Sequence, residues 1–260
     1  MTSCPDAPCK LELSGITKRF RVNGAPLKAL EDVNLHAAAG EFVSIIGPSG
    51  CGKSTLFNII CGLLEPDEGQ VLLDGEAVQR RAGAFGYMPQ KDLLLPWRSV
   101  LDNVILGPEL RGDDRNASRS EATELLPLFG LEGFGDAYPA LLSGGMKQRA
   151  ALLRTFLTRR EVLLLDEPFG ALDALTRMDL QEWLLRVWAQ FGKTILFISH
   201  DVDEALFLSD RVYVMTPRPG RVKMALTVPL PRPRRREMEA TTEFAALRYE
   251  LLRALAAGNE

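Results

Sequence analysis

The feature that most constrains this chain is a glycine-rich segment that follows an apolar run. Residues 41–47 (EFVSIIG) predict a buried strand that ends in glycine, and the chain continues as Gly47-Pro48-Ser49-Gly50-Cys51-Gly52-Lys53-Ser54. This order matches the pattern G-x-x-x-x-G-K-[ST], in which glycines let backbone N–H groups turn inward around phosphate oxygens. Residues 53–63 have helical spacing, so the positive N-terminal end of a helix is expected to face the same phosphate. Strand, loop and helix together predict a nucleotide phosphate site.

Three side chains at the end of this loop have predicted roles. Lys53 is expected to contact the β- and γ-phosphates, Ser54 to bind Mg²⁺, and Thr55 to reach the α-phosphate region. Cys51 is interpreted as a small filler residue and not as a catalyst. The ordinary alternative is a glycine-rich turn with an accidental Lys-Ser pair. The predicted strand before the loop and the helix after it favour the phosphate site.

A second acidic element complements the loop. Residues 161–167 read EVLLLDE. The apolar run predicts a buried strand, and Asp166 follows at its C-terminal end, where α/β sheets hold their ligands. Asp166 is therefore predicted to hold Mg²⁺ through water, with Ser54 completing the site, and Glu167 to act as the general base that polarises the attacking water. A strand that merely ends in a solvated Asp-Glu pair is common, but the glycine-rich loop outweighs that interpretation here.

Composition and charge exclude several classes of function. A formal net charge of −3 over 260 residues gives no indication of nucleic-acid binding. No apolar stretch approaches the roughly 18 residues that span a bilayer, and the N-terminus has no apolar core typical of a signal peptide. Four cysteines (Cys4, Cys9, Cys51 and Cys61) are too few and too scattered for a disulfide framework, so a reducing cytoplasm is the expected setting.

Alternating strand and helix patterns predict the fold class. Residues 10–20 predict an edge strand, residues 29–37 a second strand, and Asp74-Gly75 between apolar flanks a hairpin. Further strands are predicted at 84–88, 161–166, 194–199 and 212–215, with helices at 173–190 and 201–208 between the later ones. Residues 96–158 favour helices and loops. We therefore predict an α/β fold with a mostly parallel sheet.

The C-terminal part has a different composition. From Pro229 it is rich in proline and arginine, and residues 237–257 are weakly helical in pattern. Arg232 to Arg236 are interpreted as a solvated linker, because like charges among prolines favour an exposed extended chain. Contact with anionic lipid is the alternative. His36, in an otherwise apolar strand, is interpreted as structural.

Residues 142–149 distinguish this chain from other proteins that contain such a loop. They read Leu142-Ser143-Gly144-Gly145-Met146-Lys147-Gln148-Arg149. Ser143 is a good N-cap, and two glycines expose the backbone at the start of a helix, which makes a second anion-binding helix end. The segment resembles the signature sequence of the ABC ATPases, with Met146 in place of the more usual glutamine. With the other motifs, the resemblance covers nearly the whole chain.

The resemblance implies a domain organisation. A P-loop NTPase (RecA-like) core with an N-terminal antiparallel β subdomain would comprise residues 10–95 and 159–228. An inserted α-helical signature subdomain would comprise 96–158, and a short tail 229–260. The whole chain, 1–260, would be one ABC ATPase domain.

The resemblance also implies roles for four further residues. Gln90 matches the Q-loop glutamine that contacts metal and water, and Asp173 matches the D-loop aspartate. His200, directly after a strand, matches the switch histidine that contacts the γ-phosphate. Phe20 falls where an aromatic ring stacks on adenine, a position at which tyrosine is frequent. For His200 alone the alternative is a neighbour of a helix cap at Asp201, and for Phe20 alone it is core packing.

The family arrangement implies partners. In ABC ATPases the P-loop of one subunit and the signature of another enclose one nucleotide. Residues acting in trans would be Leu142, Ser143, Gly144, Gly145, Met146 and Gln148. ATP and Mg²⁺, a second copy of the chain, an integral membrane permease and, indirectly, a substrate-binding protein are therefore expected. Such a subunit acts at the cytoplasmic face of the membrane.

One segment is similar to a particular branch of the family. Residues 91–104 (KDLLLPWRSVLDNV) resemble the importer ATPases for nitrate, sulfonates, taurine and pyrimidine precursors. Leu94, Leu95 and Trp97 are expected to be exposed as a socket for a permease helix, with packing on the helical subdomain as the alternative. The competing functions are a soluble ABC ATPase of translation or DNA repair and the motor of an export system. The transported solute is not encoded in the site residues.

Overall fold

The computed structural model describes residues 9–256, which form two compact units. One unit contains residues 9–85 and 191–256, and the other Gly86–Gln190. The strands are β1 (Cys9–Val22), β2 (Ala25–Ala38), β3 (Phe42–Ile46), β4 (Glu68–Leu73), β5 (Glu76–Ala77), β6 (Gly86–Met88), β7 (Val162–Asp166), β8 (Thr194–Ile198), β9 (Arg211–Met215) and β10 (Val222–Thr227). The helices are α1 (Lys53–Ile60), α2 (Val100–Val104), α3 (Leu106–Arg111), α4 (Arg115–Leu125), α5 (Gly144–Phe156), α6 (Ala174–Phe191), α7 (Val202–Leu208) and α8 (Thr242–Ala256).

An antiparallel sheet opens the first unit. Its strand order is β2-β1-β4-β5, so the prediction that residues 10–20 form an edge strand is wrong. Leu11, Leu13 and Ile16 of β1 are buried because the strand pairs with β2 on one side and β4 on the other. The predicted hairpin is present: Asp74 and Gly75 join β4 to β5 with φ angles of 53° and 80°, as a two-residue hairpin requires.

Parallel strands form the core of the same unit. β3 lies between β8 and β9 and is parallel to both, and all five of its residues are buried. Burial on both faces explains the nearly continuous apolar run in the sequence, in which Ser44 is the one polar residue of β3. β10 pairs antiparallel with β9, and it was missing from the sequence prediction although its residues alternate between half-buried and exposed.

The second unit combines a short parallel pair with helices. β6 pairs with β7, and every residue of β7 is buried. Helices α2 to α5 fall within the segment 96–158, where helices were predicted. Phe129 packs edge-on against Phe156 and Trp183, with ring centroids 5.6 and 5.2 Å apart. No helix of residues 9–256 has the length and apolar content needed to cross a bilayer.

Within residues 228–256, which we call the C-terminal segment, the run from Arg232 to Arg236 is not the predicted solvated linker. Arg234 is only 7% exposed and donates to the backbone carbonyl of Ser209 (2.8 Å). The Arg236 guanidinium lies 3.9 Å from the centre of the Phe207 ring. The prediction failed because these arginines find carbonyl and aromatic partners at the end of α7, which local charge patterning cannot reveal.

Cysteine positions agree with a chain without disulfides in the part described. Cys51 and Cys61 are free thiols, and Cys4 lies outside the described residues. Cys9 begins β1, and Cys51 and Cys61 are buried.

Candidate nucleotide-binding and catalytic site

The glycine-rich loop, residues 47–52, connects the buried strand β3 to helix α1. Lys53, only 7% exposed, directs its Nζ back to the carbonyl oxygens of Gly47 (2.8 Å) and Pro48 (3.3 Å). The loop therefore curls around a buried ammonium group. A buried cation that donates to neutral carbonyl oxygens can exchange these acceptors for a charged phosphate oxygen, which accepts a stronger hydrogen bond.

Gly52 makes the turn from the loop into α1. Its φ is 109°, and a Cβ added there would lie 2.6 Å from Cδ2 of Leu30. Both the conformation and the space therefore require glycine. No side chain caps this end of α1 within the described residues. The N–H groups of the first turn, at Lys53, Ser54 and Thr55, can therefore bind an anion.

A second loop, residues 216–220, supports the glycine-rich loop and was not identified from the sequence. Arg218 Nη2 donates to the Gly50 carbonyl (3.0 Å). A Cβ on Gly220 would lie 2.0 Å from the Cys51 carbonyl oxygen, so only glycine allows this approach. The signal was present, since residues 216–220 (TPRPG) are turn formers directly after a predicted strand.

Cys51 fills the interior of the glycine-rich loop. It is 1% exposed, and its Sγ lies 4.0 Å from Lys53 Nζ. Burial raises the pKa of the Cys51 thiol, although the neighbouring Lys53 charge acts in the opposite direction. A neutral, enclosed thiol agrees with a packing role.

His200 follows β8 and precedes α7, whose N-cap is Asp201. The Asp201 carboxylate accepts from the N–H groups of Asp203 (2.9 Å) and Glu204 (3.1 Å). His200 is exposed and lines a pocket of about 450 Å³. The other residues that line it are Gly47, Pro48, Ser49, Leu252, Leu255 and Ala256. The structure thus brings His200 and the glycine-rich loop to one pocket.

Phe20 lies near the end of β1, opposite Leu27 of β2. It is half-buried, and Lys18 Nζ lies 5.8 Å from the centre of its ring. An aromatic face that is partly open to solvent can stack on a flat heterocycle.

In the second unit, the acidic pair stands at the end of β7. Asp166 is the last residue of the strand and is 3% exposed, whereas Glu167 is half-buried. Glu167 has a φ of 46°, in the left-handed region that residues other than glycine rarely adopt. Its Oε2 accepts from Gln90 Nε2 at 2.9 Å. Strained backbone at a polar residue is frequent at functional sites, and here the neighbouring amide orients the carboxylate.

The signature segment begins α5 as its sequence indicates. Ser143 caps the helix by accepting from the Met146 N–H (3.3 Å). Ser143 and Gly144 are exposed, whereas Leu142 and Gln148 are buried. The exposed backbone at this helix start can meet an anion that comes from outside the unit.

The start of α6 accompanies the signature. A Cβ on Gly144 would lie 3.4 Å from Leu172, and one on Gly145 would lie 3.0 Å from Thr176. Asp173 stands between these contacts and accepts from the Thr176 N–H (3.1 Å), which holds the pKa of its carboxyl below the ordinary value. The segment predicted to be the signature and Asp173 therefore belong to one surface of this unit.

Residues 91–98 form a firmly held loop with an exposed apolar surface. Arg154 donates to the carbonyls of Asp92 and Leu93, and Asn103 exchanges hydrogen bonds with the backbone of Leu95 (2.7 and 3.1 Å). Trp97 is 72% exposed and Leu93 58% exposed.

The predicted exposed set differs at two of its members. Leu94 is 8% exposed and Leu95 half-buried, because they turn inward between these anchors. Leu93, which was not predicted, joins Trp97 on the surface.

Comparison with known proteins identifies the family. The family described as ABC transporter matches residues 30–170, which is more than half of the chain. This chain belongs to that family. An uncharacterized ABC transporter ATP-binding protein of Methanocaldococcus jannaschii is 48% identical over 246 residues, covering 95% of this chain and 91% of the relative. The taurine import ATP-binding protein of Rhizobium johnstonii is 45% identical, covering 88% of this chain and 89% of the relative.

A solved structure extends the comparison to three dimensions. A dimeric ATP-binding cassette in a post-hydrolysis state, bound to ADP and phosphate, matches with a TM-score of 0.72 and 31% identity. The match covers 84% of this chain and 98% of the other. The predicted fold class and the resemblance to importer ATPases are therefore confirmed, and the chain is an ABC ATPase that binds and hydrolyses ATP.

Proposed function

We propose that this ABC ATPase energises solute import across the cytoplasmic membrane, bound to the inner face of a membrane permease. The observation that carries the proposal is the segment 90–97, which joins two features. At one end Gln90 holds the Glu167 carboxylate at 2.9 Å, and seven residues later Trp97 is 72% exposed. A permease segment that displaces Trp97 can therefore shift the Glu167 carboxylate through the short loop between them. Hydrogen bonds from Arg154 and Asn103 hold this loop.

ATP would bind at the glycine-rich loop. The N–H groups of residues 50–55 would surround the phosphates, Lys53 would leave its carbonyl acceptors for the β- and γ-phosphates, and Phe20 would stack on adenine. The loop consists of Gly47, Pro48, Ser49, Gly50, Cys51 and Gly52, and Ser54 and Thr55 lie in the first turn of α1. In this proposal the ATP-binding core comprises residues 10–95 and 159–228, and the signature subdomain comprises 96–158.

Mg²⁺ would be held by few protein oxygens. Ser54 offers a hydroxyl, Asp166 a carboxylate and Gln90 an amide oxygen, the hard donors that Mg²⁺ prefers while it keeps several waters and the phosphates as ligands. When bound, the ion neutralises charge on the phosphate oxygens.

Hydrolysis would depend on three side chains. Glu167 would accept the proton of the attacking water, Gln90 would orient that carboxylate, and His200 would hydrogen-bond the terminal phosphate. The φ of Glu167, 46°, is backbone strain of the kind that is frequent at functional sites. Glu167→Gln should keep ATP binding and reduce turnover roughly 10²- to 10⁴-fold. Unchanged turnover would remove Glu167 from this role.

The signature of a second copy would complete the site. Ser143 and the N-terminal end of α5 would meet a γ-phosphate that ADP lacks, so ATP would favour the closed pair and ADP the open one. Met146, with its neighbours Leu142, Gly144, Gly145 and Gln148, would shape that surface, and Asp173 would approach with it. Ser143→Arg should leave ATP binding to the single chain intact and prevent ATP-dependent dimerisation, measured by light scattering in the Glu167→Gln background.

Coupling to a permease is tested directly. The tagged chain, purified from its native membranes, should bring a multi-span permease in near-equal amount, identified by mass spectrometry. Trp97→Ala should weaken that association, whereas Leu110→Ala, which removes another exposed apolar side chain (80% exposed), should not. A soluble partner, or a free dimer without any membrane protein, would contradict the importer assignment and leave the ATPase assignment intact.

The solute would be selected outside this chain, by the permease and a substrate-binding protein. The relative from Rhizobium johnstonii is named for taurine import, which supports import as the direction of transport here. The permease found by co-purification would narrow the solute class.

A further inference from the structure

Helix α7 connects His200 to the C-terminal segment (residues 228–256). The helix starts two residues after His200 and is only seven residues long. Its position is therefore set mainly by what surrounds it, because so short a helix has little stability of its own.

The C-terminal segment holds α7 at both ends. At the C-terminal end Arg232 Nη2 donates to the Leu208 carbonyl (2.7 Å) and Arg234 Nη2 to the Ser209 carbonyl (2.8 Å). These carbonyls belong to the end of α7, where cations are favourable. In the first turn, Arg248 Nε of α8 donates to the Asp203 carboxylate. Polar contacts thus clamp the helix along its length.

Apolar packing fills the space between these polar contacts. Val202, Ala205 and Leu206 of α7 belong to one buried cluster with Phe244 and Leu251 of α8. Leu247, Ala254 and Leu255 pack against the same cluster. A well-packed cluster transmits small shifts because protein interiors have few voids.

The last turn of α8 also reaches the nucleotide pocket. Leu252, Leu255 and Ala256 line that pocket together with His200 and the glycine-rich loop. Leu255 therefore takes part in two environments, the cluster that includes α7 and the wall of the pocket that the glycine-rich loop also lines.

We propose that the C-terminal segment positions His200 for the terminal phosphate. Arg248 acts through Asp203 and α7, and Leu255 acts through the pocket wall. Both are positioning residues, since neither needs to touch the nucleotide. The proposal rests on the role of His200 in the proposed function, and it assigns to residues 228–256 a part in turnover that their composition does not suggest.

The first experiment observes His200 without any turnover. The chain contains two histidines, His36 and His200, so the untagged full-length protein labelled with ¹³C at histidine Cε1 gives two ring signals by NMR. His36 is 6% exposed and bonded to Tyr213, so it serves as an internal reference. Arg248→Ala should move the His200 signal and leave the His36 signal unchanged. Arg253→Ala, an exposed arginine on the same helix, should move neither.

The second experiment measures turnover. Arg248→Ala should lower kcat about 5- to 10-fold, less than the roughly 10²-fold that a 1 Å misplacement can cost, with KM for ATP changed less than about two-fold. Arg248→Lys should restore part of the loss, and Arg253→Ala should match the wild type. In a His200→Ala background, Arg248→Ala should have no further effect, because the two residues would act as one unit.

Folding and positioning can be separated in these variants. The Arg248 and Asp203 side chains are 37% and 46% exposed, so their ion pair contributes little to stability. The thermal midpoint of Arg248→Ala should therefore stay close to that of the wild type. Leu255→Ala is the second variant: it trims the pocket wall and should likewise move only the His200 signal.

The outcomes are distinct. A wild-type kcat in both variants, or a loss of the same size with and without His200, would overturn the positioning role. An unmoved His200 signal in both variants would overturn it as well. If the wild-type chain itself fails to hydrolyse ATP, the proposed function fails. The positioning of His200 by the C-terminal segment is then still judged by the NMR signals.

Discussion

The glycine-rich loop and the C-terminal segment border the same pocket but hold their shapes by different means. In the loop, Lys53 bonds to carbonyls five and six residues away, and Gly52 provides a conformation that only glycine adopts easily. In the C-terminal segment, Arg232 and Arg248 bond to groups 24 and 45 residues away. The turn of the loop is therefore specified largely by its own residues, with support from residues 216–220, and the segment by the surface on which it lies.

The largest expected effect comes from the locally specified region. Lys53→Met removes the ammonium and should reduce ATP hydrolysis by at least roughly 10²-fold, because fixed charges at a developing phosphate charge are worth that much. ATP binding should fall with it, measured by titration with a fluorescent ATP analogue. Arg248→Ala serves as the comparison, with its smaller loss confined to kcat. Equal losses of binding in the two variants would show that the two regions do not differ in this way.

The second prediction tests how far the conformation of the glycine-rich loop depends on residues 216–220. Gly220→Ala places a Cβ at 2.0 Å from the Cys51 carbonyl oxygen, so the backbone of the glycine-rich loop must move. We expect ATP affinity to fall at least about ten-fold, a cost of at least roughly 1.4 kcal/mol. Gly107→Ala is the control, since its Cβ would meet only ordinary contacts, at 3.4 Å or more. Full affinity in Gly220→Ala would make the loop independent of residues 216–220.

The same contrast explains which parts of the fold could be predicted from the sequence. Strand β3, the glycine-rich loop and the hairpin at Asp74-Gly75 were predicted because their signals lie within a few consecutive residues. The interior position of β1 was missed, since neighbouring strands come from distant segments. Residues 93 and 94 show the limit for surfaces: both are leucine, yet one is 58% and the other 8% exposed. The backbone around them is held by Arg154 and Asn103, which lie outside the loop of residues 91–98 in the sequence.

The candidate site follows the same division. The sequence was enough to identify four candidate residues, because each has a suitable side chain and stands at the end of a strand or helix. They are Lys53, Asp166, Glu167 and Ser143. The sequence did not predict a part in the site for Arg218, Gly220 or the C-terminal residues that line the pocket. Their contribution depends on approach in space, which a single sequence does not record.

The third prediction concerns the stability of the C-terminal segment. Arg234 is buried, and its Nε and Nη1 find no hydrogen-bond partner in the described part of the chain. Burial lowers the pKa of its guanidinium to about 10, so the charged form costs stability at every pH below that value. Arg234→Met keeps the volume and removes the charge. It should raise the free energy of unfolding by about 1 kcal/mol and the thermal midpoint by roughly 2–4 °C.

Arg234→Ala is the matched variant for that prediction. It removes the charge but leaves a void, so its thermal midpoint should fall below that of the wild type. If Arg234→Met were as unstable as Arg234→Ala, the guanidinium would be a net stabilising group, and the segment would depend on that charge as the loop depends on Lys53.

The smallest expected effect on ATP hydrolysis is that of alkylation at pH 7.5, because Cys51 is enclosed in the glycine-rich loop. Its thiol is 1% exposed and its pKa is raised by burial, so below pH 9 the reactive thiolate is scarcer than for an ordinary cysteine. Iodoacetamide at pH 7.5 should therefore modify the half-buried Cys9 before Cys51 and leave ATP hydrolysis unchanged, with mass spectrometry locating the adducts. Raising the pH should speed Cys51 modification, and each modified chain should lose ATP binding because the adduct fills the loop. Rapid inactivation at pH 7.5 through Cys51 would mean that the loop opens readily to solvent, and its closed shape would then depend on support from residues 216–220 more than on its own sequence.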